Sequence, residues 1–318
     1  MMRALVFDKE LTYRDDIPVP EPEGNEALIK VISAGICNTD LEIIKGYMGF
    51  TGIPGHEFVG VVERCGNKEL IGNRVSGEIN VGCGICGYCQ SGDRNHCPER
   101  SVLGILGREG AFADYITLPV DNLHLIPDSV SNEEAVFVEP LAEGFEILRQ
   151  IDIAPSDRVA VFGDGKLGLL AAQVLTLTGC DITVVGKHRS KLQILDELGI
   201  KTVLASEFSG KDMDVVVECT GSDSGITTAL RTVRPRGNVI LKTTVADRGD
   251  LDLNMIVINE ISLIGSRCGP FPNAINAIAA GKIKLSPLIS AEYPIEEGLK
   301  AFEHASERGV LKVILKFD

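Results

Sequence analysis

The sequence predicts an α/β chain with a doubly wound parallel sheet in its second half and a lobe held by a metal in its first. Two observations carry this prediction. Cys83, Cys86, Cys89 and Cys97 fall within fifteen positions. Further on, Arg158 to Gly179 reads as an apolar strand, the turn Gly163-x-Gly165-x-x-Gly168 and an apolar-faced helix, followed by a second strand at DITVV.

A chain of 318 residues is long enough for two ordinary domains. Its 44% hydrophobic and 24% charged residues are those of a folded protein, and no low-complexity tract or fixed-period repeat interrupts it. The longest apolar run, Leu167 to Thr178, is shorter than the roughly 18 residues of a membrane span, and the opening MMRALVFDKE has no signal-peptide core. The expectation is a cytoplasmic protein without a membrane partner. A net charge of −14 repels nucleic acid and anionic lipid, so a phosphate-bearing ligand needs a local basic site and the expected partner is a small molecule.

The cysteine cluster is spaced C-x2-C-x2-C-x7-C, so that consecutive thiolates converge on one ion while the intervening glycines permit tight turns. Tetrahedral zinc fits this spacing. Four sulfur ligands leave no open position, which makes the ion structural. An iron-sulfur cluster also takes four thiolates, but the bacterial ferredoxin run places its last cysteine after three residues, not seven. Unpaired structural cysteines are the third reading.

Upstream lie GICNTD, Gly35 to Asp40, and GHEFVGVV, Gly55 to Val62, eighteen residues beyond Cys37. A thiolate, a neutral imidazole and a carboxylate with an open fourth position suit a catalytic zinc, which polarises an alcohol or carbonyl oxygen. Taken alone, Cys37 and His56 read rather as a buried cysteine and a satisfied core histidine.

Context changes that. Cys37-x-Thr39-Asp40, Gly55-His56-Glu57, the four-cysteine lobe, Val138-Glu139-Pro140-Leu141 and the glycine turn follow in this order. In this the chain resembles, nearly end to end, the zinc-dependent medium-chain alcohol dehydrogenase family. The Glu-Pro-Leu segment is similar to the polyol, sorbitol, glucose and threonine dehydrogenase branch, where a glutamate replaces the third cysteine of liver-type enzymes.

The resemblance implies that Cys37, His56 and Glu139 surround a catalytic zinc. Glu57 is a further ligand, direct or in exchange with water, and Glu143 competes locally with Glu139. It implies that Asp40 accepts the second N–H of the ligand imidazole, a support common to metal-bound histidines; the alternative is a turn or helix-cap aspartate. Thr39 matches the hydroxyl that hydrogen-bonds the substrate oxygen and passes its proton outward. Glu42 stands where many alcohol dehydrogenases have a proton-relay histidine, and a relay through Glu42 or water is the expectation there.

In the second half, glycines at 163, 165 and 168 let the backbone approach a pyrophosphate at the helix N-terminus, with Leu167 beside it. Lys166, inside this turn, reaches either phosphate or solvent. NAD enzymes end the second strand on an acid for the ribose hydroxyls, whereas this chain has Gly186, Lys187, His188 and Arg189. Glycine leaves room for a 2'-phosphate and the basic group can clamp it, so NADP is expected over NAD. The alternative is that Lys187 to Arg189 are the solvated cap of a helix beginning near Ser190. By resemblance, Thr220 at the end of DVVVECTG and Lys312 in the closing strand LKVILKF contact the coenzyme.

The architecture implied is a GroES-like β-rich catalytic domain, residues 1–139 with a return at 266–318, and a six-stranded Rossmann coenzyme domain, residues 140–265, with the active site in their cleft. Two zinc ions per chain and a homodimer or homotetramer accompany it. The reaction implied is reversible oxidation of a secondary alcohol or polyol, with hydride passing to the nicotinamide. A biosynthetic NADPH-dependent carbonyl reductase and a non-catalytic redox sensor are the rivals. Cys65, Cys180, Cys219 and Cys268 read as filler, His96, His124 and His304 receive no role, and Tyr47, Met48 and Phe50 are placed on a loop near the pocket. Against a typical member the chain is short around Ser206 to Asp214 and Val245 to Leu253.

Overall fold

The structure is a computed structural model that describes residues 1–243 and 251–317, so residues 245–250 of the second shortened stretch lie outside the described residues. The chain divides into two compact units, Met1–Glu139 with Phe271–Asp318, and Pro140–Pro270.

The first unit is built on the strand Glu26–Ile36, of which all but three side chains are buried or nearly so. It pairs antiparallel with Glu57–Arg64, with Tyr115–Pro119 and with Lys312–Lys316 inside a seven-stranded sheet. Register decides what meets at one end of this sheet. Gly35 lies opposite Glu57 on one side and Ile314 on the other, and Ile36 opposite Val313. The chain therefore leaves one strand at Cys37, enters the next just after His56, and enters a third at Lys312, all at the same edge.

Gly35 makes this convergence possible: a Cβ there would fall 2.5 Å from Glu57 Oε2 and 2.7 Å from Val136 Cγ1. A separate small sheet of Asn80–Val81, Ser101–Leu103 and Gly107–Arg108 brackets the cysteine cluster. Within the lobe, Cys86 caps the one-turn helix Gly87–Gln90, and Cys97 is fully buried after the turn Arg94–His96.

In the second unit six parallel strands run in the spatial order Lys201–Leu204, Asp181–Gly186, Arg158–Phe162, Met213–Glu218, Val233–Leu241 and Ser262–Gly265. Along the chain this order is 3-2-1-4-5-6, the doubly wound arrangement, whose direction reverses between the first and fourth strands. Valine-rich strands such as DVVVE suit burial on both faces. Arg234 to Gly237 form a bulge within the fifth strand: pairing jumps from Met213–Val233 to Val215–Asn238, and Arg236 has φ +60°. Among the described residues no helix is long and apolar enough to cross a membrane.

Asp214 ties three adjacent strands together, accepting from the Arg158 amide at 2.9 Å and from Arg234 Nε at 2.6 Å. The Arg158 amide and then the Arg234 guanidinium hold its carboxyl below the ordinary value. Replacing it, Asp214→Ala, is expected to lower the unfolding free energy by about 1–2 kcal/mol in denaturant titrations at neutral pH. Because the folded pKa is the lower one, this difference is complete above the ordinary carboxyl pKa of about 4 and vanishes as pH falls through the folded value.

Candidate metal and coenzyme sites

Cys37, His56 and Glu57 offer a sulfur, a ring nitrogen and a carboxylate oxygen that all lie within 4.8 Å of one another. His56 and Glu57 are buried at 3% and 1% exposure, so solvent does not compete for their ligand atoms. Cys37 sits at the N-cap of the short helix Asn38–Ile43, and Asp40 in that helix turns back to accept the Cys37 amide at 2.8 Å. The other Asp40 oxygen accepts the Gly55 amide at 3.2 Å and stands 3.2 Å from His56 Nδ1, an ion-pair distance without the alignment of a hydrogen bond. Asp40 therefore serves as the cap of this helix and also lies against the Nδ1 side of the imidazole, which leaves Nε2 as the nitrogen that could meet a metal.

Burial by itself lowers the His56 pKa, but the nearby charge of Asp40 and the neighbouring Cys37 reverse this and hold it well above the ordinary value. A buried imidazole beside a thiol and a carboxylate gathers donors that a divalent cation takes. The donor set, one sulfur, one nitrogen and an oxygen, fits zinc.

Lys312 lies elsewhere than expected. It is fully buried and its amine donates to the Glu57 carboxylate, with the Phe137 ring centroid 5.5 Å away. Burial alone depresses the amine; the charges of Glu57 and Cys37 raise it above its ordinary value. Its side chain is therefore a partner of the metal corner and not an exposed phosphate contact. Thr39 Oγ1 is 3.9 Å from Cys37 Sγ, half-buried beside the same corner. Glu42 turns away, its carboxylate 57% exposed and 2.8 Å from Lys45 Nζ, because position 42 falls on the outer face of the helix. The relay expected of it has no geometric support. Glu139 is buried in the first turn of the helix Val138–Gln150, outside the group formed by Cys37, His56 and Glu57.

Cys83, Cys86, Cys89 and Cys97 bring their four sulfurs within 4.8 Å of one another. The amides of Ile85 and Cys86 point at Cys83 and draw it down to about 7, whereas desolvation pushes Cys89 up to about 11. Four sulfurs so close cannot all ionise unaided, and a cation at their centre removes that conflict.

In the second unit the glycine turn packs as its motif requires. A Cβ on Gly163 would meet Cys219 O at 2.5 Å, while Gly165 has no atom within 4 Å of where its Cβ would stand. Gly165 is also the N-cap of the helix Lys166–Thr176 and supplies no side-chain cap, so the start of the helix faces open space, which fits a pyrophosphate. Leu167 is half-buried in that first turn. Thr220 donates its hydroxyl to the buried Glu218 at 2.5 Å. Cys219, half-buried beside the turn, has its thiol pushed up to about 12 by desolvation.

The feature unread in the sequence is Asp164. Its Oδ2 accepts the amides of Lys187 at 2.7 Å and His188 at 2.6 Å, and it lies 3.0 Å from His188 Nδ1. Arg189 pairs with Glu207 at 3.3 Å. The acid between two glycines, set against a glycine at the end of the second strand, is the signal that could have revealed it.

The alcohol dehydrogenase GroES-like domain family matches residues 23–128, and the zinc-binding dehydrogenase family matches residues 167–280. The chain belongs to the zinc-dependent medium-chain alcohol dehydrogenases. It is 31% identical over 326 residues to a D-arabitol-phosphate dehydrogenase of Enterococcus avium, covering 95% of this chain and 92% of that one. Among solved structures it is similar to a protein of the zinc-binding dehydrogenase class from Sinorhizobium meliloti 1021 bound to NADP, with 27% identity, a TM-score of 0.91 and coverage of 100% and 99%. It is also similar to an Escherichia coli CFT073 alcohol dehydrogenase complexed with NADH, with 26% identity, a TM-score of 0.92 and 99% of each chain covered. This dehydrogenase is therefore an NAD(P)-dependent enzyme with a GroES-like and a Rossmann-type domain.

Breaking the Lys312–Glu57 pair from one side leaves a buried carboxylate uncompensated. In chemical denaturation of metal-free protein, Lys312→Met is expected to cost about 3–5 kcal/mol, and adding Glu57→Gln should recover most of it. Equal losses in the single and double variants would mean that packing, not charge, governs the corner.

Proposed function

We propose that this dehydrogenase oxidises a secondary alcohol or polyol reversibly, with a catalytic zinc on Cys37, His56 and Glu139 and a structural zinc on Cys83, Cys86, Cys89 and Cys97. The observation that carries the reading is the meeting of Cys37, His56 and Glu57 at one sheet edge, with Asp40 against the imidazole. Glu57 is engaged by Lys312, which supports Glu57 as an exchanging ligand, and Glu139, outside that group, is taken as the third ligand on the family resemblance. The E. avium relative, named for a polyol phosphate, supports a polyhydroxylated substrate.

When bound, zinc supplies Lewis-acid polarisation of the substrate oxygen and the nicotinamide accepts hydride. The chain supplies the rest. His56, held by Asp40 at Nδ1, presents Nε2; Thr39 Oγ1 takes the proton of the reacting hydroxyl and hands it outward. Since Glu42 faces solvent beside Lys45, water is the next carrier. In the coenzyme unit Gly163, Gly165 and Gly168 seat the pyrophosphate on the helix N-terminus. At the adenosine end, Lys187 and Arg189 favour a 2'-phosphate and Asp164 opposes it. The family resemblance supports a homodimer or homotetramer.

Metal analysis of the purified protein should find two zincs per chain, one of them removed by mild chelation together with turnover. His56→Ala should lack that ion and lose at least about 10³-fold in kcat/KM, whereas Thr39→Val should keep both ions and lose about 10²- to 10⁴-fold in kcat. One tightly held zinc per chain, or a fully active Thr39→Val, would sink the catalytic assignment.

A further inference from the structure

The reaction leaves one residue of the glycine turn unexplained. Asp164 is nearly buried at 8% exposure, an expensive place for a carboxylate unless its position matters. It reaches from the turn to the end of the strand Asp181–Gly186, where its Oδ2 accepts two successive amides, those of Lys187 and His188. In doubly wound sheets the end of this strand faces the adenosine ribose, and a carboxylate there accepts from the 2'-hydroxyl.

Here that strand ends on glycine, and the reason is steric. A Cβ at position 186 would stand 2.7 Å from both Cβ and Oδ2 of Asp164. A side chain at 186 and the Asp164 carboxylate exclude one another, so the acid missing from the strand is delivered by the turn. The same contact, with the groups around it, takes up much of what a 2'-phosphate would use and leaves it chiefly the exposed Lys187 side chain. The two amides that could cradle it are turned onto a carboxylate, His188 Nδ1 is 3.0 Å from that carboxylate, and Arg189 is paired with Glu207. A phosphate carrying about −1.5 to −2 charges would have to settle against Asp164.

We propose that Asp164 is the coenzyme-specificity residue of this enzyme, binding the ribose hydroxyls of NAD(H) and disfavouring NADP(H). The proposal rests on the dehydrogenase reading, and it reverses the preference expected from Gly186 to Arg189 taken as a linear motif.

Titration of the purified full-length protein with NADH and with NADPH, followed by coenzyme fluorescence or calorimetry, tests it without a substrate. The wild type should bind NADH at least about tenfold tighter. Asp164→Asn, which retains an acceptor for the amides but loses the charge, should tighten NADPH about tenfold or more while weakening NADH only a few-fold. Moving the acid back to the strand, in Asp164→Gly with Gly186→Asp, should restore NADH preference, with thermal unfolding verifying that each variant is folded. Tighter NADPH binding by the wild type, or a parallel change of both coenzymes in Asp164→Asn, would overturn the assignment while leaving the enzyme reading intact. If neither coenzyme binds the wild type, the dehydrogenase reading falls and takes this proposal with it.

Discussion

A lone charge enclosed in a protein costs several kcal/mol, and the first unit encloses four ionisable groups in one corner: Asp40, His56, Glu57 and Lys312. Each is tolerable only because the others are present. Lys312 answers Glu57, Asp40 answers His56, and the Cys37 sulfur lies against both pairs. The central sheet must hold its register for this to work, because slipping any one of three strands by one residue would flip its side chains to the opposite face. The corner and the sheet are therefore one construction, with Gly35 as the space that lets two charged side chains cross it.

Two aspartates perform parallel work in the two units. Asp40 gathers the Cys37 and Gly55 amides and presents its charge to an imidazole; Asp164 gathers the Lys187 and His188 amides and presents its charge at the end of a strand. In both, backbone donors fix the carboxylate in place, which is how a short side chain becomes a rigid electrostatic feature. The difference is what lies beyond it. Asp40 faces the buried imidazole of His56, whereas Asp164 faces the first turn after the strand Asp181–Gly186.

Kinship with dehydrogenases of known structure fixes the architecture over the full length, but neighbours of nearly equal similarity hold NADP in one case and NADH in the other. Overall likeness therefore does not select the coenzyme of this chain. Nor does that likeness fix the direction of Glu42, which faces outward beside Lys45.

The sequence by itself determined what depends on short spacing. Four thiols within fifteen positions must meet if the turns between them are tight, and they do; the glycine turn between two apolar strands had one reasonable fold, and it is observed. Cys37 and His56 were legible through the order of motifs around them. Partnerships across the sheet were not. Lys312 and Glu57 are 255 positions apart, and only the pairing of three strands makes them neighbours. Asp164 and His188 are 24 apart, joined by the parallel alignment of two strands. The face of a six-residue helix settled the direction of Glu42. Local geometry constrains residues that are close along the chain, whereas the partner of a buried charge is chosen by register and packing, which a linear pattern does not contain.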